Sequence, residues 1–270
     1  MEAFPDPKSR HDGNMLNRRA LLAASAATGL AACSRSAPPA GLLRVATSNL
    51  PDSLDPARGE FASAALVYKQ IHAGLTEYGP GGEVVPGLAA SWDVSRDGLR
   101  WTFRLREGLS WSDGHPLTAE DVVYSARRIV DPSQSFAVLG DFYAVANARA
   151  VLAGEMPPGA LGVSALDDRT VEFRLDTPLG LLPTLMREFY PFPRHVIDVH
   201  GLQWVRPENI VTAGAYTVTA ESQLALDLVK NPNYYAADDV GIEQIRVDAV
   251  RDDATRVRLF RSGDYDLADN

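Results

Sequence analysis

From Leu42 onward, short segments of alternating polarity are cut by Gly/Asp turns and interleaved with helical stretches. In Arg100 to Leu105, Trp101, Phe103 and Leu105 fall on one face and Arg100, Thr102 and Arg104 on the other. A strict period of two suits a strand with one buried face and suits no helix. Turn signals flank it at Gly79-Pro80-Gly81-Gly82, Arg96-Asp97-Gly98 and Asp113-Gly114. Leu42 to Thr47 reads as a strand, and Ala62 to His72 as a helix with Leu66, Val67 and Ile71 on one side. Thr118, followed three residues later by Asp121, caps a helix running to about Ile129, which Asp131-Pro132 stops. A second helix is expected over Val138 to Ala153. A turn at Asp167-Asp168 joins two short strands, the second being Thr170 to Leu175. Pro191 to Pro193 reads as a crossover into a helix near Arg194 to His200. Strands near Ala215 to Thr219, Leu224 to Lys230 and Gln244 to Val250 precede a last helix over Asp253 to Ser262. Hairpins mixed with helices in this order predict an α/β protein of mixed, α+β character.

The composition agrees with a packed domain. The 270 residues are 46% apolar and 23% charged, with 21 Gly and 18 Pro, which excludes collagen, a coiled-coil rod and an intrinsically disordered chain. The formal charge is −9, made up of +1 on residues 1–32 and −10 on the remainder. Without a basic footprint the chain is no candidate for nucleic acid.

There is one cysteine, Cys33. It follows Arg18-Arg19 and a run without charge from Ala20 to Ala32, thirteen residues that fit a signal-peptide core and fall short of the ~20 that span a bilayer. Leu30-Ala31-Ala32-Cys33 resembles the lipobox of bacterial lipoproteins, which makes residues 1–32 a signal peptide and Cys33 the lipidated residue. Thioether-linked and N-acyl lipid together would give a stable membrane anchor. An ordinary secretory signal with an incidental Cys is the alternative. Arg18-Arg19 also resembles a twin-arginine export signal, and Met15 is a second candidate start. Residues 33–41, rich in Ser, Ala and Pro, read as a flexible tether.

Catalytic and metal patterns are missing. His195 and His200 lie five apart and do not stack on one helix face, so the five histidines read as surface residues and no metal is expected. Asp167-Asp168 and Asp252-Asp253 stand at turns or helix starts, where Asp serves the backbone. No nucleophile elbow, phosphate loop or zinc-protease helix motif occurs, so neither an enzyme nor a cofactor is expected.

Eight stretches in one order resemble the extracellular solute-binding proteins of peptide ABC importers, family 5, which include the oligopeptide- and dipeptide-binding proteins. They are Ser53-Leu54-Asp55-Pro56, IHAGL at 71–75, VPGLAASW at 85–92, DGLRWTFRLR at 97–106, WSDGHPLTAEDVVYS at 111–125, NIVTAGAY at 209–216, NPNYY at 231–235 and RSGDYDL at 261–267. The resemblance implies a periplasmic binding protein-like fold, with residues 42–72 and 194–270 as a base lobe and 73–193 as an inserted second lobe. Family members are roughly twice this length, so it also implies an N-terminal half whose opposing lobe is absent.

The resemblance further implies an extended oligopeptide held between lobes by backbone pairing and hydrated pockets, permease subunits as partners, and a site at the periplasm or cell surface. Aligned from Ser53-Leu54-Asp55-Pro56, Glu60, Phe61 and Ala62 would line the base-lobe wall, and Phe136 would stand at a family aromatic position or be a buried core residue. Two other readings stay open: a half-receptor lipoprotein that acts as a scaffold or has no function, and, more remotely, a surface hydrolase.

Overall fold

The computed structural model of the chain describes residues 41–59, 64–134 and 140–269. Strand β1 (Leu42–Thr47) is followed by helix α1 (Ala64–Ile71), which buries Ala64, Val67, Tyr68 and Ile71. Then come β2 (Thr76–Tyr78), β3 (Val84–Pro86), β4 (Ala89–Val94) and β5 (Arg100–Leu105). β5 buries Trp101, Phe103 and Leu105 and turns Arg100 and Arg104 to solvent, as its period of two predicts. Helix α2 (Ala119–Ile129) starts at the expected cap: the Thr118 backbone N–H donates to Asp121 Oδ2 at 2.9 Å.

The predicted helix over 138–153 is a finding against the sequence. Residues 135–139 lie outside the described part; beyond them Gly140–Ala144 forms a 3-10 turn and α3 only covers Ala148–Leu152. Between the two, Val145 bridges Leu175, the Ala146 N–H donates to Arg174 O at 2.8 Å, and Asn147 takes a left-handed φ of 65°. The backbone there completes a sheet edge, and Asn is among the few residues that tolerate the reversal.

Strands β6 (Val163–Asp167) and β7 (Thr170–Arg174) form the expected hairpin, followed by α4 (Leu182–Leu185) and α5 (Arg194–His200). The chain closes with β8 (Tyr216–Glu221), β9 (Ala225–Lys230), β10 (Gln244–Ala249), α6 (Asp253–Arg261) and β11 (Leu267–Ala268). Two main sheets result: a mixed five-stranded sheet in the order β11-β1-β10-β9-β8 and an antiparallel four-stranded sheet in the order β4-β5-β7-β6. β1 runs parallel to both neighbours, with Thr47 opposite Ala249 on β10 and Val45 opposite Leu267 on β11.

Residues from Gly41 onward make one compact unit. Its apolar core is continuous, joining Val45, Leu228 and Val247 of the mixed sheet to Ile71, Leu75, Phe189 and Trp204, and to Phe103 and Phe173 of the antiparallel sheet. Two motif glycines are needed for close approach. A Cβ on Gly74 would lie 2.5 Å from Arg187 O, and one on Gly214 would lie 2.5 Å from the carbonyl carbon of Ile71. IHAGL and NIVTAGAY therefore specify packing.

Candidate functional site

In open α/β sheets a ligand crevice lies beyond the carboxyl ends of parallel strands. Here β1, β10 and β11 end together, at Thr47, Ala249 and Ala268. Thr47 Oγ1 donates to Asp269 Oδ2 at 2.6 Å and the Ser48 N–H to Asp269 Oδ1 at 3.1 Å. Buried Arg256 of α6 ties this end together through the Val250 carbonyl at 2.7 Å, Asp253 Oδ1 at 2.7 Å and the Asp269 carbonyl at 3.2 Å. Asp252 acts as a helix cap, accepting from the Thr255 N–H at 2.8 Å, and hydrogen bonds from the Thr255 side chain and then its backbone hold the carboxyl below the usual range. Asp167 accepts from the Arg169 N–H in the same way. Asp252 and Asp167 serve the backbone, as the sequence suggested, whereas Asp253 pairs with the Arg256 guanidinium.

The loop from Ser48 to Gly59 is fixed by a buried ion pair. Asp55, 1% exposed, receives Arg128 Nη2 of α2 at 2.7 Å and Trp204 Nε1 at 3.4 Å. Tyr68 Oη donates to Ser53 O at 2.6 Å, and burial raises its pKa. His72 is a correction to the surface reading of the histidines: it is buried, its Nε2 sits 3.3 Å from Leu54 O, and its ring stacks 5.4 Å from Tyr190. Burial lowers its pKa to about 4, so it is neutral at pH 7. His195 is half-buried, with Nε2 at 2.9 Å from Asp113 Oδ2 and its ring stacked on His115.

Glu60, Phe61, Ala62 and Phe136 lie outside the described residues, as does Cys33. Their described flanks do meet: Arg58 Nη2 donates to Gln134 O at 3.4 Å. Beside this contact opens a cleft of about 680 Å³, walled by α2, α5 and Arg58, with Tyr124, Arg127 and Leu202 among its lining. Neither Arg58 nor Arg127 stands out in the sequence; the helical spacing of Glu120, Tyr124 and Arg127 was the available signal. Among the described residues no group of three or more His, Cys, Asp or Glu side chains could hold a metal ion. No helix among them is long and apolar enough to cross a membrane.

Residues 83–270 match the family model described as bacterial extracellular solute-binding proteins, family 5 middle. The chain belongs to this family. It is 38% identical over 226 residues to the probable deoxycholate-binding periplasmic protein YgiS of Escherichia coli, covering 80% of this chain and 42% of that one. It is 35% identical over 260 residues to the periplasmic oligopeptide-binding protein OppA of Salmonella typhimurium, covering 93% and 47%. Among solved structures, Haemophilus influenzae OppA in complex with the peptide RPPGFSPFR superposes with a TM-score of 0.81 at 31% identity, over 84% of this chain and 45% of that one. The unliganded open form of the murein tripeptide-binding protein MppA gives 0.80 at 30% identity, with 84% and 45% covered. The fold is therefore that of the periplasmic binding proteins, present as part of their lobes. The chain spans under half the length of these relatives, and the family binds solutes.

Proposed function

We propose that this chain supplies one wall of an oligopeptide-binding site in a peptide ABC import system. The observation that carries the reading is the likeness to a peptide-bound family member at a TM-score of 0.81 and 31% identity. The ends of β1, β10 and β11 at Thr47, Ala249 and Ala268 support it, because they form a crevice edge of the expected kind. In this reading Glu60, Phe61 and Ala62 face the peptide backbone and Phe136 a side chain. Residues 42–72 and 194–270 form the base lobe, residues 73–193 the inserted lobe, and a further lobe closes over the ligand. The chain acts by binding and carries out no reaction. Lipid on Cys33 holds it at the outer side of a membrane, in the periplasm or at the cell surface, where it hands peptide to permease subunits.

A chimera tests the binding role. Residues 41–269 replace the matching part of Salmonella typhimurium OppA, and calorimetry follows tri- to pentapeptides and deoxycholate. A peptide dissociation constant of about micromolar or tighter is expected. A folded chimera that binds deoxycholate and no peptide overturns the reading.

A further inference from the structure

We propose that the exposed face of α6 is a self-association surface, whose occupant is α6 of a second copy of this chain, crossing antiparallel with Val257 at the two-fold axis. This goes beyond the peptide-wall reading and stands without it. Helix α6 packs the wrong way round for an amphipathic helix. Its one buried side chain is a charge, Arg256, whereas Val257 is 38% exposed and Phe260 49%. An open groove of about 530 Å³ runs along the outer face, lined by Asp253, Ala254, Val257, Arg258 and Arg261.

The order of charges along this face names the partner. Asp253, Val257 and Arg261 stand four residues apart and so form one ridge of the helix. The acid is at one end, the base at the other and the apolar residue midway. Among the described residues Arg261 forms no ion pair, and the Asp253 side chain, which meets Arg256 through Oδ1, is 87% exposed. A two-fold axis sets the ridge of one copy against the reversed ridge of the other, so Val257 meets Val257 and Asp253 of each copy lies beside Arg261 of the other. Ridges of residues four apart interlock at a crossing of about −50°, the commonest packing of helices in globular proteins.

A ridge carrying one sign of charge would call for a partner of the opposite sign. This one carries both, in an order that its own reversal matches, which favours a second copy. Two helices of nine residues, each about 13 Å long, bury less than the ~1,200 Å² of a standard interface. The dimer is therefore weak, with a dissociation constant of roughly 0.1 mM.

Sedimentation velocity on the 270-residue chain, in a Cys33→Ser background, tests this over concentrations of about 5 to 500 μM that bracket the expected constant. The parent should pass from monomer to dimer. D253R and R261D each set like charges together and should weaken association at least about 10-fold. An equimolar mixture of these two variants restores both opposite-charge pairs and should associate like the parent. Because D253R also takes a partner from Arg256, Val257→Asp repeats the disruption without touching Asp253 and should stay monomeric, with melting curves showing that each variant is folded. V257C should give a disulfide-linked dimer on mild oxidation, whereas Leu202→Cys, at a side chain of a residue 56% exposed, should give none. A parent that stays monomeric throughout, a mixture that associates no more tightly than the single variants, association that survives V257D, or a V257C chain that forms no linked dimer would each overturn the proposal. In the chimera with OppA, a V257C thiol closed to small thiol reagents would assign the stripe to the rest of that receptor and overturn it as well.

Discussion

Asp55 shows how one residue can be visible in a sequence while its role is hidden. Its place in Ser53-Leu54-Asp55-Pro56 is a family mark, but its partners Arg128 and Trp204 lie far along the chain. Removing one member of a buried pair leaves an uncompensated charge, so Asp55→Ala should cost ~3–5 kcal/mol, read from urea midpoints. The double variant Asp55→Leu with Arg128→Met should cost less than the Asp55→Ala change. His72 was hidden for a similar reason: it follows the last residue of an amphipathic helix, and Leu54 and Tyr190, from separate segments, close over it. Its folded pKa of about 4 lies below the ordinary 6.5, so between those values the unfolded chain binds the extra proton. Its effect on stability is nil above pH 6.5 and grows unfavourable as pH falls toward 4, reaching ~3 kcal/mol. The urea-midpoint difference between the parent and His72→Gln should therefore change across pH 6.5 to 4 and stay flat from 7 to 8. A flat difference throughout would refute a buried neutral His72.

At the scale of elements, periodicity was legible and breaks in it were not. β5 shows why, since its alternation alone separates Trp101 and Phe103 from Arg100 and Arg104. Phe103 is fully buried and meets Phe173 edge-on, with ring centroids 5.7 Å apart. Phe103→Ala should cost ~3–5 kcal/mol by chemical denaturation, and a loss under 1 kcal/mol would contradict its enclosure. The α2 cap was equally plain from Thr118 and Asp121, and Thr118→Ala should cost ~1 kcal/mol. The helix expected over 138–153 fails because a nonlocal bond from Ala146 to Arg174 outweighs local helix preference. β11, two residues long, exists as a strand only because β1 lies beside it, and no window of sequence carries that.

For the whole molecule, the family and the fold were legible through resemblance, whereas the cleft beside Arg58 was not. Arg58, Tyr124 and Leu202 come from three separate stretches that only the fold brings together. The same scale governs the strength of peptide binding. Burial between two walls excludes water and strengthens each charge-assisted hydrogen bond, worth ~1.5–3 kcal/mol apiece. A single open wall forfeits both the exclusion and any bonds that a facing wall makes to the peptide termini. Losing two such bonds weakens binding by roughly 10²- to 10⁴-fold. The 270-residue polypeptide tested alone should therefore bind neutral tri- to pentapeptides far more weakly than the chimera with OppA, by at least the lower of those factors. Paired calorimetric titrations measure the ratio directly. A ratio near one would mean that residues 41–269 hold the peptide by themselves, and the two-wall account of affinity would fail.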